Sequence, residues 1–152
     1  MKFWDSSAIL AFIAGQASSV DLAAILSANP DMAIWWGTPV EIISGLCRLR
    51  REGRYDDAAF NLLLRTVESI ASDADEIEAS ELVRSATIRL LRTHSLRAAD
   101  ALQLAAALVW VEHNPSGAGF VCLDERLREA AGKEGFEVMP SAGDRLPGVT
   151  EA

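Results

Sequence analysis

Four acidic residues stand where the chain passes from an apolar, strand-like run into a helical pattern. Asp5 directly follows "KFW" and Asp124 directly follows "AGFVCL". Glu41 comes one turn into the segment that leaves "MAIWW", and Asp100 lies near the start of "LRAADALQLAAALVWV". Each acid has an ordinary structural role open to it. Asp5 and Asp124 suit helix N-caps, with Ser6 or Ser7 assisting. Glu41 stands three residues after Thr38 and would complete a capping box with it. Asp100 would favour the dipole of its own helix. Taken together, however, four anions near one edge repel and raise each other's pKa. Asp100 is the sharpest case, because its neighbours are alanines and leucines. Burying an ion costs several kcal/mol, roughly, against the ~1–2 kcal/mol that a helix dipole returns at most.

A divalent cation removes that repulsion. The set contains neither His nor Cys, so its oxygen donors select a hard ion, Mg²⁺ or Mn²⁺, rather than zinc. His94 and His113 lie apart from the acids, at a helix end and before a loop. An ion held by a few carboxylates keeps positions open for water and phosphate oxygens. It activates the water and stabilises the leaving oxygen, most effectively as a pair of ions ~3.5–4 Å apart. The chemistry expected is phosphodiester hydrolysis, with no side chain forming a covalent intermediate.

The net charge of −8 is the wrong sign for binding nucleic acid through a basic surface. A metal would supply the positive field at the scissile phosphate instead. The cations are almost all arginine, and "CRLRREGR" gathers Arg48, Arg50, Arg51 and Arg54. They are placed to grip flanking phosphates, or simply to complement the dipole at a helix end.

These residues need a frame that brings them together. "KFW", "MAIWW" (Met32 to Trp36), "AGFVCLD" and "FEVM" read as strands, and "DEIEA" as a short edge strand. Between them lie helical patterns: "SSAILAFIAG" closed by Gly15, "VDLAAILSA", "TPVEIISGLCRLRREG", "YDDAAFNLLLRTVESIAS", "SELVRSATIRLLRTH", the Asp100 helix and "ERLREAAGKEG". Thr38 is expected as an N-cap with Pro39 at the first helical position. Apolar strands alternating with helices predict an α/β fold with a mostly parallel sheet covered on both faces. Ligands in such folds bind outside the carboxyl ends of the strands. Trp4, Trp35, Trp36 and Trp110 are expected to pack in the core.

At 152 residues the chain is expected to form one domain over 1–140, followed by a C-terminal tail over 141–152, and "PSAGDRLPGVTEA" has a loop-like composition. No apolar run reaches the ~18 residues of a membrane span. Asp5 interrupts what would be the apolar core of a signal peptide, so no export is expected. Cys47 and Cys122 are far apart in apolar runs and read as inert core thiols. A cytoplasmic protein is the expectation.

"FWDSSAIL", "TPVEIISGLCRL" with Gly45 four after Glu41, "LRAADALQLAAAL" and "FVCLDERLREAAGKEGFEV" resemble, in order and spacing, the four sequence blocks of PIN-domain proteins. Order, spacing and length especially resemble VapC-type toxins of bacterial toxin–antitoxin pairs. The resemblance spans Met1 to about Met139. It implies a three-layer α/β/α sandwich and an Mg²⁺- or Mn²⁺-dependent endoribonuclease. It also implies a homodimer, and a cognate antitoxin that wraps the toxin and blocks or distorts its site. Carried over residue by residue, Asp5, Glu41 and Asp100 become metal ligands. Asp124 becomes the fourth acid, binding a second metal or positioning water. Ser6 stands where the family often has Thr or Ser near the metal.

Two other users of an acidic sheet edge fail on a residue. A HAD-type phosphatase needs a second Asp two after its nucleophile, where this chain has Ser7. A phospho-acceptor receiver needs a Lys after a late strand, and Lys133 falls within a helix instead. A non-catalytic PIN-like RNA-binding or scaffold module, and a DNA-directed nuclease of the same fold, remain as alternatives.

Overall fold

A computed structural model describes residues 1–141 of the chain. The tail expected over 141–152 therefore lies, beyond Ser141, outside the described residues. In chain order the elements are β1 (Lys2–Trp4), α1 (Ser6–Ile13), α2 (Ser19–Ala28), β2 (Met32–Trp35), α3 (Thr38–Arg51), α4 (Asp57–Asp73), β3 (Asp75–Ile77), α5 (Glu81–Thr93), α6 (Ala98–Trp110), β4 (Gly119–Val121), α7 (Glu125–Glu134) and β5 (Glu137–Met139). The first helix stops where the sequence puts Gly15, which takes a left-handed φ of 66°.

The five strands form one sheet in the order β3-β2-β1-β4-β5, and every pairing is parallel. Strand alternation divides the core in two. Phe3, Ala33, Trp35 and Phe120 point to the side covered by α5, α6 and α7. Trp4, Met32, Ile34 and Val121 point to the side covered by α1, α2, α3 and α4. The result is the three-layer α/β/α sandwich expected from the sequence. Phe3 and Phe120 sit opposite each other in register and their rings stack, with centroids 5.4 Å apart. That pair pins β1 to β4 at the centre of the sheet.

The chain winds outward from β1 in one direction to β2 and β3, then returns to β1 and continues through β4 to β5. The order reverses between β1 and β4, and in such sheets the crevice outside the strand ends at that reversal binds ligands. Asp5 follows β1 and Asp124 lies just beyond β4, so these two acids flank the reversal.

Two local expectations are corrected. Helix α3 begins at Thr38 itself, with Gly37 as the cap residue and no side-chain cap bond. Thr38 is fully buried and bonds to Gln103, while Glu41 bonds to Ser6 and Gln103, so the capping box does not form. Partners on another helix have displaced the local ones. Strand β2 ends at Trp35, and Trp36 is 54% exposed rather than buried in a strand. Its backbone N–H still bonds to the Ile77 carbonyl at 3.0 Å, but its ring stands edge-on to Trp35, with centroids 6.3 Å apart, and faces solvent.

Candidate functional site

Asp5 is set by the end of β1. Its backbone N–H donates to the Val121 carbonyl of the neighbouring strand at 2.9 Å, and its side chain caps α1 by accepting from the Ser7 N–H at 3.0 Å. The carboxylate is 2% exposed. Ser7 Oγ also donates to Asp5 Oδ2, and the Cys122 thiol donates to the same oxygen at 3.5 Å. Ser7 Oγ in turn accepts from the Leu123 N–H at 3.1 Å. Among the described residues, every hydrogen bond to this side chain falls on Oδ2. The carboxylate is thus clamped by one oxygen.

Glu41 lies in the first turn of α3. Its Oε2 accepts from Ser6 Oγ at 2.7 Å and its Oε1 from Gln103 Nε2 at 3.3 Å. Gly45, one turn further on, faces the Leu10 side chain of α1. A Cβ built there would fall 2.4 Å from Leu10 Cδ2.

Asp100 sits in the first turn of α6 and is half-buried, less than its apolar neighbours in sequence suggest. The first turn of its helix is open, with Ala98 and Ala99 exposed, while Ala101 and Leu104 behind it are closed off. Asp124 caps α7 by accepting from the Leu127 N–H at 2.9 Å and is exposed. The N-cap roles read for Asp5 and Asp124 are therefore both filled.

The electrostatics tie the four acids together. Burial pushes the Asp5 carboxyl above its ordinary value; bonds from Ser7 and Cys122 oppose this, and the charge of Asp100 adds to it. Glu41 is raised by burial and by the charges of Asp5 and Asp100, against the bonds from Ser6 and Gln103. Asp100 is raised by burial and by Asp124, and only Arg97 pulls it back. Three carboxyls thus hold their protons more tightly than usual because burial and mutual repulsion are not offset by cations. Burial likewise raises the Cys122 thiol, which stays protonated and acts as a donor to Asp5.

Ser6, a candidate from sequence, is the residue that bridges α1 to Glu41. Among the arginine candidates, Arg50 is engaged: it pairs with Asp57 and lies over the Phe60 ring, 4.6 Å from its centroid. Arg48 and Arg51 are exposed on α3, with Arg48 two turns beyond Glu41.

Three contributors escaped the sequence reading. From sequence, Ser7 reads only as a capping residue and Cys122 only as a core thiol. Gln103 is fully buried and bonds to both Thr38 and Glu41. Its signal was available: it stands three residues after Asp100, on the same helix face.

Among the described residues, no three His, Cys, Asp or Glu side chains are gathered tightly enough, as they stand, to hold a metal ion. The chemistry of the donor set fits a hard divalent cation nonetheless. It offers carboxylate oxygens alone, three of them raised in pKa by burial and one another's charge.

No family model matches this chain, and no curated protein matches it. Among solved structures, a chain of a toxin–antitoxin complex from Klebsiella pneumoniae has the same fold, with a TM-score of 0.59 at 16% identity. The superposition covers 82% of this chain and 87% of that one. Among the described residues, no helix is long and apolar enough to cross a membrane.

Proposed function

We propose that the protein is a metal-dependent endoribonuclease of the PIN-domain type, the toxin half of a VapC-like toxin–antitoxin pair. The observation that carries the reading is the placement of Asp5 and Asp124 on either side of the sheet reversal. The charges of Glu41 and Asp100 reach into the same group. Asp5, Glu41 and Asp100 are the residues to hold Mg²⁺ or Mn²⁺, with Asp124 as the fourth acid. When bound, such an ion lowers the pKa of water and stabilises the leaving oxygen of a phosphodiester.

The chain's own residues supply the positioning. Ser7 and Cys122 fix one oxygen of Asp5, and Ser6 fixes one oxygen of Glu41. Arg48 and Arg51 are free to meet phosphates flanking the scissile bond, whereas Arg50 is committed to Asp57. The fold shared with a chain of a toxin–antitoxin complex supports an antitoxin as partner. A homodimer and a cytoplasmic site of action belong to the same reading.

The test is cleavage of total cellular RNA by purified protein with Mg²⁺, Mn²⁺ or EDTA, beside Asp5→Asn protein prepared identically. Discrete fragments that vanish with EDTA and with the variant are expected. Equal degradation by both proteins would identify a contaminant. No cleavage by folded, partner-free protein would favour a non-catalytic binding module or a DNA substrate.

A further inference from the structure

Helix α6 presents an almost wholly apolar face to the core: Ala101, Leu104, Ala105, Ala106, Ala107 and Leu108 are all closed from solvent. Gln103 is set into that face at 0% exposure. Burying an amide costs on the order of 1–3 kcal/mol unless every polar atom finds a partner. Here they do. Nε2 donates to Thr38 Oγ1 at 3.0 Å and to Glu41 Oε1 at 3.3 Å, and Oε1 lies 3.3 Å from the Thr38 hydroxyl. Thr38 is itself fully buried. An apolar pair of similar volume would fill this space with no polar group to satisfy, and such exchanges are often neutral or stabilising. What an apolar pair cannot do is hold a carboxylate.

The amide joins two helices that each carry an acid of the site. Asp100 lies one turn before Gln103 on α6, and Glu41 lies three residues after Thr38 on α3. From the geometry we infer that Gln103 is a positioning residue of the metal site, fixing the Glu41 carboxylate against Asp100. This rests on the proposed metal-dependent reading and names a residue that reading does not use. Groups that orient metal ligands without touching the metal typically account for about 10–100-fold in affinity.

The test is calorimetric titration of the metal-free full chain with Mn²⁺, together with thermal denaturation in the absence of metal. Gln103→Leu and the pair Gln103→Leu/Thr38→Val are compared with wild type, the pair leaving no buried hydroxyl without a partner. The expected result is about a tenfold or greater loss of Mn²⁺ affinity in both, while the pair melts close to wild type. Unchanged affinity in a folded variant would overturn the positioning role and leave the nuclease reading standing. Failure of wild type to bind Mn²⁺ would overturn both. Unfolding of both variants would assign Gln103 to the core alone.

Discussion

Ser6 Oγ donates to Glu41 Oε2 at 2.7 Å across 35 residues of chain, joining the first turn of α1 to the first turn of α3. The bond favours ionised Glu41 against the burial that raises its pKa. Ser6→Ala removes it, so Glu41 stays protonated to a higher pH. If hydrolysis needs the carboxylate, the acid limb of the rate–pH profile moves upward. On that limb the rate falls by about tenfold for each pH unit the limb moves. Ser6→Thr, which keeps the hydroxyl, restores both. A profile unmoved by Ser6→Ala would separate this bond from the chemistry.

Metal-free stability carries a second signature of the site. Asp5, Glu41 and Asp100 have raised pKa values, from ordinary values of 3.8, 4.5 and 3.8. The folded protein therefore binds more protons than the unfolded chain just above those values. The resulting stability is fully present below the unfolded pKa and lost as pH rises through the folded one. Glu134 runs oppositely. Arg89 and His94 grip it, its pKa is lowered from 4.5, and its contribution is lost on further acidification. The melting temperature without metal should climb as pH falls from neutrality towards the ordinary carboxylate range, then drop as further acid protonates Glu134. Asp100→Asn should melt at or above wild type at pH 7, by at most about 2–4 °C, and the gain should shrink as the pH falls and Asp100 of the wild type takes up its proton. It should also abolish cleavage. A large loss of stability at pH 7 would make Asp100 a structural acid.

Gly45 lies at the seam of α1 and α3, facing Leu10. A β-branched side chain there meets the tip of the Leu10 side chain, which must turn aside or the seam must widen. Gly45→Val should cost about 1–3 kcal/mol, as overpacking does. It should reduce cleavage beyond what the lost stability explains, because the Ser6–Glu41 bond spans the same seam. Denaturant titration beside rate measurement at full folding separates the two effects.

The three arginines of α3 should not behave alike. Arg48→Ala and Arg51→Ala should weaken binding of catalytically dead protein to RNA at every sequence, each reducing the salt slope by about one. Arg50→Ala should leave that slope unchanged, because its guanidinium is already paired with Asp57 and set over Phe60. Binding isotherms across a range of salt concentrations decide it.

Much of this was legible from local pattern. The buried parallel strands betray themselves as short apolar runs, and the helix between Ser6 and Gly15 is bounded by its own residues. The acids at the strand ends follow once the strands are placed. What local spacing hides is partner choice. Thr38 and Glu41 satisfy the sequence rule for a capping box, but a buried amide 65 residues from Thr38 competes for both. Trp36 continues an apolar run, yet β2 runs out one residue earlier. Cys122 reads as an inert thiol because nothing in its neighbourhood shows that Asp5 lies against it across 117 residues. The apolar sequence around Asp100 suggested deep burial, and only its place at the open end of α6 relieves it.

The interior place of β4 in the sheet has a consequence for synthesis. A ribosome delivers β1, β2 and β3 first, leaving β1 as an exposed edge until residues 119–121 emerge to pair with it. The Val121 carbonyl, the Cys122 thiol and the Leu123 N–H that steady Asp5 and Ser7 arrive in that same stretch. A prematurely ended product stopping before it would carry Asp5, Glu41 and Asp100 but no finished wall around them. On the proposed reading, a product that stops before residue 119 therefore holds candidate ligands but lacks the groups that keep Asp5 and Ser7 in place.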